Sequence, residues 1–197
     1  MTEYSGHWPL PRKVYVDMIN YIESYQPKVF ALDINFVGEW EGKKQDDINL
    51  AMLFKKYNNL YTGLYFDNNP VNLKRDLNLP YKHAVEIVSH SPIFSPNHSA
   101  SFRLSYNDMI KYGNLGVVNL INHSDGISRA VPMFITYSVF GDDYRVTGRK
   151  YYPSIALKII SKLTNYDEKV LTIDSDNSLF VSDRKIPMQP NSEVILN

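Results

Sequence analysis

Apolar and polar positions alternate along this chain in patterns that change every ten to fifteen residues. In "PRKVYVDMINYIESY" the spacing predicts a helix opened by Pro11, with Val14, Met18, Tyr21, Ile22 and Tyr25 on one face and Pro27 ending it. The run "VFALDINF" is apolar on both faces at first and turns polar only toward its C-terminal end, which predicts a buried parallel strand. After "VGEWEGKKQ", the segment "DDINLAMLFKKY" predicts a helix with a carboxylate cap at Asp46 or Asp47 and cations in its last turn. "LYTGLYF" then reads as a second strand. Strand, helix and strand in that order form a crossover unit, right-handed by the general rule for parallel sheets, and the class is α/β.

Between Asp67 and Gly113 no period is sustained, and the expectation there is a set of long excursions over the core. In "GVVNLINHSDGISRAVPMF" two β-branched runs flank a polar loop ending in Asp125-Gly126, which predicts paired strands joined by a loop with a positive-φ residue. Pro132 cannot donate to a ladder, so the second strand belongs at a sheet edge or carries a bulge. Arg129 shares a face with Val131 and Met133, which half-buries a guanidinium and obliges it to find a partner, with Asp125 and Asp33 the candidates. A structural ion pair and recognition of an anion both satisfy that requirement. "YPSIALKIISKLT" predicts a helix with Ile155, Leu157, Ile159, Ile160 and Leu163 inward, and "KVLTID", "SLFVSD" and "SEVILN" predict an antiparallel meander. Together these elements predict a single α/β domain: a mixed, mainly parallel sheet flanked by helices, with antiparallel strands toward the C-terminus.

Composition narrows the functions open to such a domain. The 197 residues suffice for one core, and 44% apolar with 21% charged residues is ordinary globular usage. Lys+Arg and Asp+Glu both number 21, with no basic stripe to track a phosphate backbone, so nucleic acid is not an expected partner. Cysteine is absent, which removes disulfides, thiolate metal sites and cysteine nucleophiles. No apolar stretch approaches the roughly 20 residues that span a bilayer, and "MTEYSGHWPL" lacks the parts of a signal peptide. The chain stops at "SEVILN" in mid-strand pattern, so the expectation is a domain over residues 8–197, excised from a longer protein, with residues 1–7 as a leader.

Catalytic patterns are incomplete. "LDINF" matches a phosphohydrolase strand end at Asp33, but Asn35 stands where a second aspartate acts as acid/base, and an amide cannot shuttle that proton. His7, His83, His90, His98 and His123 form no helical i,i+4 pair around a glutamate, "VGEWEG" lacks the spacing and lysine of a phosphate loop, and no G-x-S-x-G elbow occurs. No cofactor is expected. A metal-dependent hydrolase using Asp33 stands as the alternative from another class, and a purely structural or dimerising ectodomain as a third.

The blocks "PRKVYVDMINYIESYQPKVFALDINF", "DDINLAML", "GVVNLINHSDGISRAVPMF", "YPSIALKII" and "IPMQPNSEVILN", in that order, resemble the second type of CHASE domain, a sensory extracellular domain associated with cyclases and histidine kinases. The resemblance implies a bacterial ligand-sensing input domain outside the cytoplasmic membrane, not an enzyme. It implies a full-length protein that is membrane-anchored and carries a cyclase, histidine kinase or Ser/Thr kinase output in the same chain. Transmission across a membrane adds the expectation of a homodimer. On the residues themselves, a small-molecule pocket is expected at the C-terminal ends of the parallel strands, where Asp33, Asn35 and the helix start at Asp46 converge. Asn119, Asp125 and Arg129 are expected on the neighbouring wall, with Ser154 at a helix N-terminus presenting backbone N–H groups to an anion.

Overall fold

A computed structural model describes residues 9–40, 43–67, 81–99, 101–103, 107–120, 125–140 and 145–196. In chain order the first half holds α1 (Arg12–Glu23), β1 (Phe30–Leu32), α2 (Lys44–Lys56), β2 (Leu60–Asp67), a 3-10 turn (Tyr81–His83), β3 (Glu86–Ser89), β4 (His98–Ser99) and β5 (Ser101–Arg103). The second half holds α3 (Asn107–Tyr112), β6 (Asn114–Val117), β7 (Ala130–Pro132), β8 (Phe134–Phe140), β9 (Val146–Pro153), α4 (Ile155–Thr164), β10 (Val170–Ile173), β11 (Ser178–Val181), β12 (Arg184–Pro187) and β13 (Glu193–Ile195). The α/β class holds, with antiparallel strands toward the C-terminus, although the strands divide among several mixed sheets instead of one.

The predicted crossover is present: β1 and β2 run parallel, Phe30 opposite Leu60, with α2 between them. β6 lies parallel on β2 as well, Tyr61 opposite Asn114, so β2 is the central strand and β1 an edge strand whose Ala31 is exposed. β5 pairs antiparallel with the far end of β2, Tyr65 opposite Arg103. The segment without a readable period therefore contributes β3, β4, β5 and α3, while its residues 68–80, 100 and 104–106 lie outside the described ones.

Helix α1 forms as predicted but turns a different face inward. Its buried stripe is Arg12, Tyr15, Ile19 and Glu23, whereas Tyr21 and Tyr25 are exposed. Spacing alone permits either face, and the choice falls on the one whose two charged ends meet partners. Arg12 Nε donates to Asp47 Oδ1 at 3.0 Å, with its guanidinium 4.8 Å from the Phe36 ring centre and 5.5 Å from that of Trp40. Glu23 accepts both of its bonds, 3.1 and 3.2 Å, from Asn59 Nδ2, which also donates to the Pro27 carbonyl. The predicted carboxylate cap on α2 is corrected accordingly. The helix begins at Lys44 without a side-chain cap, Asp46 and Asp47 fall inside its first turn, and Asp47 is taken by Arg12 and by the Trp40 N–H at 2.6 Å.

The predicted pairing of "GVVNLI" with "ISRAVPMFITY" is also corrected. β6 pairs with β2, β7 pairs antiparallel with β13, and β8 pairs with β9 and β4. The local turn chemistry is as expected, with Gly126 at φ +78° and Asp125 Oδ1 accepting from Ile127 N at 3.0 Å. A turn sets the chain direction over a few residues, whereas ladder partners are set by whichever edges remain open in the assembled sheet. Pro132 closes β7 in a two-stranded ribbon, consistent with its lack of an N–H. Residues 121–124 lie outside the described ones.

Toward the C-terminus β10, β11 and β12 form an antiparallel meander, extended by β3 in parallel with β10. The third strand is "RKIP", while "SEVILN" leaves the meander to pair with β7. Helix α4 buries Leu157, Lys158 and Ser161 and exposes Leu163, because Lys158 Nζ finds Glu168 Oε1 at 2.5 Å and its aliphatic stem can then pack inward. α4 crosses β6 so closely that a Cβ on Gly116 would lie 2.5 Å from the Ile155 Cα.

Two substitutions test this frame. Asp47→Ala strands the Arg12 guanidinium in the core and is expected to cost roughly 3–5 kcal/mol in urea unfolding. Gly116→Ala pushes α4 off β6 and is expected to cost about 1–3 kcal/mol, measured the same way, with no comparable loss for Gly148→Ala, where the added Cβ meets open space.

Candidate functional site

The C-terminal ends of the parallel strands are held by backbone and amide contacts that leave a space between them. Beyond β1 the ladder continues to Ile34, whose carbonyl accepts from Gly63 N at 2.9 Å and from Thr62 Oγ1 at 2.5 Å. Phe36 then turns back into the core against Tyr15, ring centres 5.1 Å apart, so the chain bends and Asp33 faces solvent. Beyond β6, Val118 N donates to the Leu64 carbonyl at 3.1 Å. Asn119 then clamps both backbone groups of Phe66, accepting from its N–H at 2.8 Å and donating to its carbonyl at 2.7 Å. β5 closes the third side: Asn35 Nδ2 donates to the Arg103 carbonyl at 3.1 Å, and Arg103 Nε donates to Asp67 Oδ2 at 3.3 Å. The Arg103 guanidinium lies 5.7 Å from the centre of the Tyr65 ring.

Asp33, Asn35, Val37, Tyr65, Arg103 and Val118 line the resulting open hollow of about 410 Å³. Its place at the carboxyl ends of parallel strands is the one an α/β sheet ordinarily uses for ligands. The hollow carries one anion, one cation and an aromatic face, which is enough to bind and orient a small polar molecule. Among the described residues no three His, Asp or Glu side chains converge to hold a metal ion.

The seven residues singled out from sequence do not gather at one place. Asp33 and Asn35 stand together in this hollow. Asn119 lies just beyond Val118 on the same strand exit, with both ends of its amide engaged by Phe66. Asp46 sits partly buried in the first turn of α2 and does not line the hollow. Ser154 is buried and its Oγ accepts from Leu157 N at 3.1 Å, capping α4 from within. Asp125 and Arg129 pair with each other at 2.6 Å on the surface, each side chain about half exposed, so Asp125 rather than Asp33 is the partner of Arg129. Arg129 lines a second hollow, of about 470 Å³, beside the β7–β13 ribbon with Gln189, Asn191 and Glu193. Tyr65, Arg103 and Val118, which line the hollow as well, were not visible as candidates in the sequence. Tyr65 is hidden in an apolar strand pattern, and Arg103 falls in the segment without a period.

The family model of the CHASE2 domain matches residues 1–197, the whole chain. This chain belongs to the CHASE2 domain family. No curated protein and no solved structure matches it. CHASE2 is a family of sensory extracellular domains of signalling receptors, sensory and not catalytic in character. Among the described residues of this CHASE2 domain, no helix is long and apolar enough to cross a membrane.

One titratable group of the CHASE2 domain lies outside both hollows and is strongly perturbed. His83, buried at the 3-10 turn, has its pKa pushed down to about 3, chiefly by burial and further by Lys82 and Lys158, against a hydrogen bond to the Ile110 carbonyl that acts the other way. The ring is therefore neutral in the folded protein, its Nε2 at 3.0 Å from that carbonyl. The unfolded chain takes up a proton near pH 6.5 and the folded one only near pH 3. Below about 6.5 the unfolded state thus binds more protons, and stability falls with falling pH until about pH 3. His83→Gln, which can keep a donor toward Ile110, is expected to flatten that slope in urea titrations between pH 4 and pH 7.

Proposed function

We propose that this CHASE2 domain is the extracytoplasmic ligand-sensing input of a bacterial membrane-bound signalling receptor, and that the hollow at Asp33 and Arg103 is its ligand site. Supporting this reading is the juxtaposition of unlike charges and an aromatic face at the carboxyl end of the parallel strands, assembled from segments far apart in sequence. The output would be a cyclase, histidine kinase or Ser/Thr kinase domain in the same full-length chain, with the sensor acting as a homodimer.

The mechanism proposed is differential binding. A ligand held between Asp33 and Arg103 ties the β1 exit to β5 and favours whichever arrangement of the two grips it better. Movement of the β1 exit cannot remain local, because Phe36, three residues after Asp33, packs on Tyr15 and under the Arg12 guanidinium of α1. Helix α1 would thus register occupancy of the hollow and hand it to the segments that precede it.

The test is a thermal-shift screen of the purified domain against small polar metabolites, followed by calorimetry on any compound that stabilises it. Asp33→Ala and Arg103→Ala are expected to weaken such a compound about tenfold or more, the worth of one charge-assisted hydrogen bond. Arg129→Ala is expected to leave it unchanged. Full retention of binding by both hollow variants would reject the assignment of this site.

A further inference from the structure

We infer that the ligand taken by this hollow is a small zwitterion, with a carboxylate and an ammonium a few bonds apart as in a free α-amino acid; the inference rests on the reading of the hollow as the sensor site. It starts from an imbalance of charge. Asp33 and Arg103 line the same space, yet they form no ion pair with each other: Arg103 turns its Nε to Asp67, and Asp33 has no ion pair or hydrogen bond with any described residue. Arg103 meets Asp67 through Nε alone and keeps the rest of its guanidinium open to solvent, so the hollow offers an unpaired carboxylate and the free edge of a guanidinium to a molecule that carries both signs.

Other ligand classes fit less well. A simple anion at Arg103 would face the Asp33 carboxylate across the same space and Asp67 beside it, and a simple cation at Asp33 would leave the free edge of the guanidinium without an acceptor. A neutral ligand would cover both charges and replace their water with weaker partners. A zwitterion meets each with its opposite and brings no net charge into the hollow.

The geometry of Arg103 favours a carboxylate in particular. Its Nε bond to Asp67 and its place over the Tyr65 ring hold the guanidinium plane from two sides, while its side chain remains 57% exposed. The edge turned away from Asp67 can then present paired N–H groups, the arrangement that recognises a carboxylate in bidentate fashion. Asp33 supplies the acceptor for the ammonium. Val37, Val118 and the Tyr65 ring offer apolar wall for a side chain. A space of about 410 Å³ lies toward the small end of the roughly 300–1,000 Å³ usual for ligand pockets, and has room for a free amino acid.

The experiment uses the intact chain and calorimetric titration with the free L-amino acids, each compared with its N-acetyl form, which lacks the cation, and its amide, which lacks the anion. At least one free amino acid is expected to bind, with its N-acetyl and amide forms each weaker by about ten- to a hundredfold. Asp33→Asn is expected to weaken the free amino acid while becoming indifferent to N-acetylation, and Arg103→Gln to become indifferent to amidation. Both side chains face solvent, and circular dichroism checks that the variants stay folded. Binding of no free amino acid, or binding of the N-acetyl or the amide form as tight as that of the free amino acid, would overturn the inference. If acetate, inorganic phosphate or glucose binds instead and is lost in Asp33→Ala and Arg103→Ala, the zwitterion fails while the sensor site stands. If an amino acid binds undiminished to both variants, this hollow fails as the site.

Discussion

The ion pair between Arg12 and Asp47 is the constraint on which the placement of the hollow at Asp33 depends. It joins the first turn of α1 to the first turn of α2, and the second oxygen of Asp47 accepts the backbone N–H of Trp40, so helix, helix and intervening loop are held at one point. Phe36 and Trp40 lie against the same guanidinium, which decides how the chain leaves β1. A buried pair of this kind need not stabilise a fold more than hydrocarbon would, but separating its partners leaves an uncompensated charge in the core. Here the arrangement it selects turns Phe36 inward and leaves Asp33 outward, three residues away.

Strand β2 supplies the other half of the frame. Its Gly63 lies so close to its neighbours that a Cβ would come 2.9 Å from Val118 Cγ2 and 3.2 Å from the Ile34 carbonyl carbon, so the two flanking strand exits close in on it from both sides. Asn119 fastens the β6 exit to Phe66 with two bonds in the manner of one more ladder residue. Packed backbone thus underlies the hollow on the strand side, while the charged groups above it come from the β1 exit and from β5. A rigid floor beneath groups carried on two chain segments is a suitable construction for a sensory domain, since a ligand acts only through the difference in its fit to two arrangements.

Much of this was readable in the order of residues. Helices α1, α2 and α4, the crossover into β2, the turn at Asp125-Gly126, the edge position of Pro132 and the α/β class all follow from local periodicity, backbone restrictions and short-range hydrogen bonding. Those are properties a segment carries with it wherever it is placed. Likeness to the CHASE2 family was readable too, because the ordered blocks are themselves a one-dimensional pattern. That Asp33 and Asn35 stand together at a strand end was legible for the same reason, as polar positions at the end of an apolar strand.

Tertiary structure alone decided which face each helix buries, which edges pair and which side chains share a space. The inward face of α1 was settled by Asp47 and Asn59, and the burial of Lys158 by Glu168, partners that no helical period contains. β6 went to β2 and β13 to β7, because ladders are filled by open edges and not by nearness along the chain. Arg103 came to the hollow of Asp33 through β5, a three-residue strand without a recognisable pattern, and pairs there with Asp67, whereas Arg129, with a stronger local signal, pairs with Asp125 four residues away. Local chemistry acts over one or two turns of chain, and a charge in search of a partner is answered by whatever the assembled sheet brings within reach.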